Sequence, residues 1–421
     1  MSKNNAIIRI GRKLRLNKLL HYIKFIFNLF HYRGFKSGKI SSIKDIQAGN
    51  YSNVELLSCN NVRLYYSHPV YNDGSANKSE LNEGMDYIQY VISIKNGIVY
   101  GDSNQVTLTR NKVLFDMPFY DVSNRFLYYR HYTTSKILSV KGENMYYWKG
   151  KTLKMEKAIW MGGYFSWNYW HLTYEFINKF LYLNKLDIPL DFHILVDQVC
   201  LDFPQYKELI DMANYKGYPV AGIDRQYRVK IGELIYINCP HFLPPNIKKN
   251  DHLSEDIQFN VNAIRDLRNY LLPFSSHREF PKRIFMSRKN ASNRKRFNED
   301  AVMQLLSEFG FEVLDPGTLS VADQISLFNQ AEWVMGGTGA AFTNLLYCNN
   351  TTKVIFFSRA RSLYTPFSTI ASALGISLLY LTEEDTNKNM VRGGIHDSFE
   401  IDITYLEKTL IELGLSKKET I

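Results

Sequence analysis

The sequence predicts an α/β protein, and three observations carry that prediction. From Lys157 onward, short apolar runs alternate with stretches of helical period, the order expected of parallel strands joined by covering helices. Across residues 41–156 the runs are shorter, alternate in polarity and are separated by polar turns, which marks a β-rich segment. Within residues 1–40, apolar residues recur at steps of three and four, as on an amphipathic helix. With 421 residues, 45% of them hydrophobic, the chain is long enough for two cores and too long for one.

The N-terminal stripe comprises Leu16, Leu19, Leu20, Ile23, Ile26, Phe27 and Phe30, with Lys13, Lys18, His21, Lys24 and His31 largely off it. Ten of the 51 Lys and Arg residues lie within residues 1–40 and no Asp or Glu does, so the remaining 41 basic residues face 41 acidic ones. The whole net charge of +10 therefore sits in this segment. A basic face opposite a Leu, Ile and Phe stripe is the pattern of a helix lying on an anionic membrane surface. The alternative is a helix docked on the protein's own core. His21, Lys24 and Asn28 interrupt the run, leaving it too short to span a bilayer, and no small-residue cleavage site follows it. A neutral body is not expected to grip nucleic acid. The four cysteines, Cys59, Cys200, Cys239 and Cys348, lie far apart without a CxxC pair, so neither a zinc site nor a disulfide framework is expected and a reducing compartment fits best.

The β-rich segment reads as NVRLYYSHP, YIQYVISIKNGIVYG, QVTLTRNKVLFD, KILSVKG and MYYWKG, with Asn-Gly and Lys-Gly as turn punctuation. It carries no constellation of catalytic type, and its expected role is structural or in shaping an acceptor surface. A first α/β unit is expected over residues 157–255. Its strand AIWMGG (Ala158 to Gly163) runs into the helical stretch SWNYWHLTYEFINKFLYLNKL, followed by strand FHILVD, helix PQYKELIDMANYKG and strand GELIYINC. A second unit is expected over residues 256–398, with strands near Arg283 to Ser287, Phe311 to Leu314, Trp333 to Met335, Lys353 to Phe357 and Leu378 to Leu381. Helices are expected at Glu299 to Phe309, Val321 to Asn329, Ala340 to Tyr347 and Thr365 to Leu374, with Asn298 as a cap and Gly310 as a stop. Residues 399–421 end in an amphipathic helix expected to brace the first unit.

Chemistry concentrates in two places. In EWVMGGTGAAFTN (Glu332 to Asn344) an apolar strand runs into glycines and restarts as a helix, which aims several backbone N–H groups and a helix N-terminus at one point. Such a turn is an anion seat or a purely structural joint. Arg288 at the tip of the preceding strand, and the cluster Arg294, Lys295 and Arg296, are candidates for bidentate phosphate contacts. In the first unit Asn168, His171 and Glu175 open a helix, and the four-residue step from His171 to Glu175 lets the carboxylate hold the imidazole in one tautomer. A histidine so held suits a general base; the alternative is a histidine packed among Trp167, Trp170 and Tyr174. Asp197 and Glu175 also lie at element ends facing the expected cleft. No HExxH, GxSxG or Walker lysine occurs, and Glu383 to Asp385 reads as a solvated turn.

Taken in order, GGYFSWNYWHLTYE, RIFMSRKNASNRKRFNED and GFEVLDPGTLSVADQISLFNQAEWVMGGTGAAFTNLLY resemble glycosyltransferase family 61, over roughly Ile159 to Leu381. The resemblance implies two facing Rossmann-like domains of GT-B type and inverting transfer of a sugar from a nucleotide-sugar donor to a glycan or lipid-linked glycan acceptor. On matching positions Arg288 and Arg294 or Arg296 would neutralise the diphosphate, and Gly337, Thr338, Gly339 and the N–H groups leading into Ala340 would cradle it. Thr343 and Asn344 would contact or shape the loop, Gln324 would stand in the family's Glu-Gln pair, and His171 would be the base, supported by Glu175. The chain departs from the pattern at Thr338 (usually histidine), Ala341 (glycine) and Leu172 (tryptophan). A threonine hydroxyl can donate to phosphate but carries no charge. No metal or cofactor is implied beyond the donor itself. The implied setting is the cytoplasmic face of a bacterial membrane, building capsule or another surface polysaccharide.

Two other readings compete. One is an NAD(P)-dependent oxidoreductase using Gly337, Thr338 and Gly339 as a dinucleotide fingerprint. Against it, Phe342 occupies the third small position, and Ser358 and Arg359 stand about 20 residues on, where an acid belongs. The other is a non-catalytic scaffold on a membrane surface.

Overall fold

The computed structural model describes residues 23, 26–31, 33–72, 80–114, 137–141, 143–244, 254–289, 297–361, 366–387 and 398–418. Arg294, Lys295, Arg296 and most of the basic stretch 1–40 lie outside them.

The strands in chain order are β1 (Phe35–Ser41), β2 (Val54–Ser67), β3 (Val70–Tyr71), β4 (Leu81–Tyr100), β5 (Val106–Thr109), β6 (Lys112–Leu114), β7 (Ile137–Lys141), β8 (Asn144–Trp148) and β9 (Lys151–Trp160). They continue as β10 (His193–Asp197), β11 (Val220–Ile223), β12 (Tyr227–Ile237), β13 (Arg283–Met286), β14 (Glu312–Leu314), β15 (Trp333–Gly337), β16 (Lys353–Ser358) and β17 (Ser377–Thr382). Among the described residues these make two sheets, in the orders β11-β10-β9-β12-β4-β5-β6-β1-β8-β7, with β2 also on β4, and β14-β13-β15-β16-β17-β3. In the first, β9 lies parallel to β10 and β12, and β10 parallel to β11, while β4 runs antiparallel to β12, with Tyr100 opposite Arg228 and Val91 opposite Ile237.

One sheet therefore carries both the β-rich segment and the first α/β unit, and the boundary expected at residue 156 falls inside β9. The join is apolar on both faces: Val91 belongs to one core, and Tyr90, Ile92 and Ile94 to another. A strand covered on both sides reads as a continuous apolar run, as Tyr90 to Ile92 does. Asn96-Gly97, read as turn punctuation, lies within β4. Asn96 adopts φ 59°, and the absent Cβ of Gly97 leaves room for Leu234, whose Cδ2 would lie 2.8 Å from it.

The second sheet is parallel throughout, and its last strand, β3, comes from the β-rich segment. Ser67, the last residue of β2 and three positions before β3, is fastened to the helix Pro366–Leu374: its N–H donates to Thr369 Oγ1 at 2.9 Å and its carbonyl accepts from Ser368 Oγ at 2.8 Å. The helix Ile403–Glu412, expected to brace the first unit, buries Leu406 and Leu410 in a core with Val302, Leu305 and Phe285 of the second. It also reaches back to Asn72, which donates to Thr409 Oγ1 at 2.8 Å and accepts from Tyr405 Oη at 2.9 Å. The largest core runs through both sheets, with Ile159, Ile194 and Ile235 of the first and Val334, Val354 and Phe356 of the second.

His241 sits wholly inside this seam. Its Nδ1 accepts the Asn260 N–H at 3.1 Å, which places the ring proton on Nε2, facing the Asn178 amide at 3.1 Å. The Asn178 oxygen is then the partner Nε2–H requires. Burial pushes the His241 pKa from 6.5 down to about 3. Above about 6.5 both native and unfolded histidine are neutral; below it the unfolded chain takes up a proton the native chain refuses. Stability should therefore fall by about 1.4 kcal/mol per pH unit between these limits, or ~2 kcal/mol from pH 6.5 to 5. Urea unfolding of the protein and of His241→Gln at pH 7.5, 6 and 5 tests this, and parallel pH slopes in the two proteins would refute it.

Candidate active site

The first half of the site is built on the loop between β9 and the helix that follows. Gly162 and Gly163 leave β9 where a side chain has no room: a Cβ on Gly162 would meet the Trp160 ring at 2.5 Å, and one on Gly163 the Phe176 ring at 2.7 Å. Asp197, at the end of β10, is buried and accepts the N–H groups of Asp102 at 2.6 Å and Gly163 at 2.8 Å. Asn104 accepts the Tyr164 N–H at 2.8 Å. Asp197, one of the carboxylates considered as a base, thus shapes this loop through its two oxygens. Phe165 then adopts φ 69°, a left-handed conformation unusual for a bulky residue, and lays its ring on His171 with centroids 4.7 Å apart and planes 19° from parallel.

Asn168 caps the helix by accepting the Trp170 N–H at 2.9 Å. The helix begins as a short α turn, Tyr169–His171, widens to a π turn over Leu172–Ile177, and returns to α over Asn178–Leu183. At its start His171 Nδ1 contacts Glu175 Oε1, with the His171 side chain 21% exposed and that of Glu175 4% exposed. With Glu175 ionised, Nδ1 donates and Nε2 keeps its lone pair for an incoming proton.

The second half of the site lies at the ends of β13 and β15. Gly336 and Gly337 belong to β15 and serve packing, since a Cβ on either would press on Met286 or on the Phe297 ring. Thr338 is buried, donates its N–H to the Phe357 carbonyl at 2.9 Å, and offers its own carbonyl to the Arg288 guanidinium. That guanidinium occupies the space a Gly339 side chain would fill. Glu299 holds Arg288 in place by accepting its N–H at 3.0 Å and the Ser287 hydroxyl at 2.7 Å. The neighbouring Asn298, expected to cap the helix, makes no side-chain cap and instead pairs with both backbone groups of Ile401.

The helix expected over Ala340–Tyr347 is a 3₁₀ helix. Phe342 to Tyr347 are fully buried, and Asn344, a weak helix former, is tied on both sides, so tertiary contacts override propensity. Its opening residues Gly339, Ala340 and Ala341 are partly exposed, and the first N–H groups of such a helix have no partner within it. The solvent-facing part of the candidate anion seat is therefore Arg288 with Gly339 to Ala341.

Two tyrosines flanking His171 dock its helix onto this loop. Tyr169 donates to Asn344 Oδ1 at 3.2 Å and Tyr174 to the Thr343 carbonyl at 3.1 Å. Burial pushes both phenols well above their usual pKa, so they remain donors. Asn344 in turn donates to Gln324 Oε1 at 2.8 Å. Gln324, Thr343 and Asn344 are buried and form the hydrogen-bonded joint between the His171 helix and the seat, whereas Gly339 and Ala340 reach the surface. Arg294 and Arg296 lie outside the described residues. Glu208, not anticipated from sequence, adds a second joint by accepting the N–H groups of Val321 at 2.8 Å and Ala322 at 3.0 Å. Among the described residues no group of three His, Cys, Asp or Glu is placed to hold a metal ion. The run Glu383–Asp385, read as a solvated turn, places Asp385 against Arg361 at 2.7 Å with its side chain 2% exposed.

The family model described as Glycosyltransferase 61 matches residues 169–355, from Tyr169 beside the candidate base through β16 behind the seat. The match supports glycosyltransferase family 61 and with it a transferase acting between a sugar donor and a glycan acceptor. No curated protein matches the chain.

Proposed function

From that match and the joint between His171 and the seat, we propose an inverting glycosyltransferase that moves a sugar from a nucleotide-sugar donor to a hydroxyl of a glycan or lipid-linked glycan. His171 Nε2 takes the hydroxyl proton as the acceptor oxygen bonds to the anomeric carbon from the face opposite the leaving group. The bond to the nucleoside diphosphate breaks on the other face, and the negative charge released falls on Arg288 and the N–H groups of Gly339 to Ala341, without a metal. Thr343, Asn344 and Gln324 set the distance between these two halves. We place the two units as facing nucleotide-sugar and acceptor domains of GT-B type, with the site between them. The carrying observation is that Tyr169 and Tyr174, on either side of His171, bond directly to the loop that opens at Gly339.

The experiment is a thermal-shift panel with UDP, GDP, CMP and ADP sugars, with and without EDTA, beside NAD and NADP. One nucleotide-sugar class should stabilise the protein, the shift should survive EDTA, and Arg288→Ala should abolish it. A shift with NAD(P) alone, or with no nucleotide, would sink the reading.

The setting we propose is the inner face of a bacterial membrane, in capsule or other surface polysaccharide synthesis. No helix among the described residues is long and apolar enough to cross a membrane. Ile23, Phe27 and Phe30, on the stripe read from sequence, are 53%, 65% and 77% exposed, where docking on the protein's own core would bury them. Flotation with anionic but not neutral vesicles, lost on deleting residues 1–30, is the expected behaviour; equal flotation with both would count against it.

A further inference from the structure

A line of aromatic rings leads away from the candidate base. Phe165 covers one face of His171, and Trp167 lies 5.6 Å from Phe165, ring centre to ring centre, with 40% of its surface exposed. The Trp167 carbonyl accepts the Tyr206 hydroxyl at 3.0 Å, which anchors the loop to the helix Pro204–Ala213. Phe203, just before that helix, packs on Tyr206 at 5.1 Å and is 49% exposed. Gln205, two residues on, donates to the Gly317 carbonyl of the second unit at 2.9 Å, so the strip borders the seam between the units.

Exposed aromatic surface next to a reactive group is unfavourable in water unless something covers it. Single exposed apolar residues occur elsewhere, at Leu190 and Ile411, but here Trp167 and Phe203 are held on one fixed frame continuous with His171. A pyranose presents an apolar C–H face and a polar hydroxyl rim. Flat aromatic rings match the face, and the rim remains free to bring one hydroxyl to Nε2.

We propose that Phe165, Trp167 and Phe203 form the acceptor platform, on which sugar rings of an oligosaccharide stack with the terminal hydroxyl at His171. This rests on the transferase reading and adds a residue-level acceptor site to it. The test uses the full chain and cello-, chito-, malto- and laminari-oligosaccharides of two to six sugars, followed by tryptophan fluorescence and saturation-transfer NMR. At least one series should bind, Trp167→Ala and Phe203→Ala should each weaken it at least tenfold, and Trp167→Phe should keep it within about threefold. The nucleotide-sugar thermal shift should be unchanged in all three variants, which also shows that they fold. Binding equally strong in Trp167→Ala, no binding by any member of the panel, or Trp167-dependent capture of unglycosylated peptides instead would each overturn the platform. If wild-type protein shows no nucleotide shift, it is the transferase reading that has failed.

Discussion

Replacing His171 with alanine should lower sugar transfer by on the order of 10²- to 10⁴-fold, the usual contribution of a positioned general base, while leaving nucleotide-sugar binding intact. The expectation follows from the separation of roles: His171 sits on the first sheet's helix, and the proposed diphosphate seat is made by β13, β15 and the 3₁₀ helix. Its Nδ1 is already engaged by Glu175, so Nε2 is the atom left to act. Glu175→Gln should give a smaller loss, because a glutamine can hold the ring but does not stabilise the imidazolium. Initial rates with saturating donor, together with the donor thermal shift, check both. Activity within threefold of wild type in His171→Ala would remove the base and favour a packing role among Phe165 and Trp170.

Gly339→Ala should be nearly silent in stability and severe in donor binding. The added methyl group falls on the Arg288 guanidinium, the end of a long side chain that can swing aside, and Gly339 has extended backbone angles that alanine adopts freely. Folding should therefore change by less than about 1 kcal/mol. The displaced guanidinium takes with it a charge-assisted contact of about 1.5–3 kcal/mol, so donor binding should weaken roughly 10- to 150-fold, as in Arg288→Ala. Gly101→Ala is the contrast. Its Cβ would lie 2.6 Å from the backbone oxygen of Asp224, which cannot move aside, so that variant should lose stability instead. Calorimetry with the donor identified by the nucleotide panel separates the cases. Unaltered donor affinity in Gly339→Ala would mean that Arg288 does not face the ligand.

Much of the second unit was legible because its signals are local. The apolar runs at Arg283, Trp333, Lys353 and Leu378 fall on β13, β15, β16 and β17, and Gly310, at φ 77°, closes the helix Glu299–Glu308, whereas Asn298 begins it without a side-chain cap. The His171–Glu175 pair was also legible, since two residues four apart on a helix need nothing distant to meet. What escaped depends on partners far along the chain. The first sheet is continuous because β4 pairs with β12, with Tyr100 opposite Arg228 and Val91 opposite Ile237, and no local pattern announces such a distant pairing. The π turn at Leu172–Ile177 and the 3₁₀ winding at Ala340–Tyr347 share the apolar period of ordinary helices. Asp197 looked available because it ends a strand at the expected cleft; its two bonds to the Asp102 and Gly163 N–H groups appear only once three separate loops are brought together.

The placement of β3 at the edge of the second sheet has a consequence for how the chain is made. Residues 67–72 are made well before their partners, Thr369, Ser372 and Thr409, which lie 302, 305 and 337 residues later. Until β3 docks, β17 has no neighbour on one side and β3 has no sheet to join. An open parallel edge beside an unpaired strand is where chains pair wrongly with one another. Closing so long a loop makes the docking of β3 onto the second sheet slow.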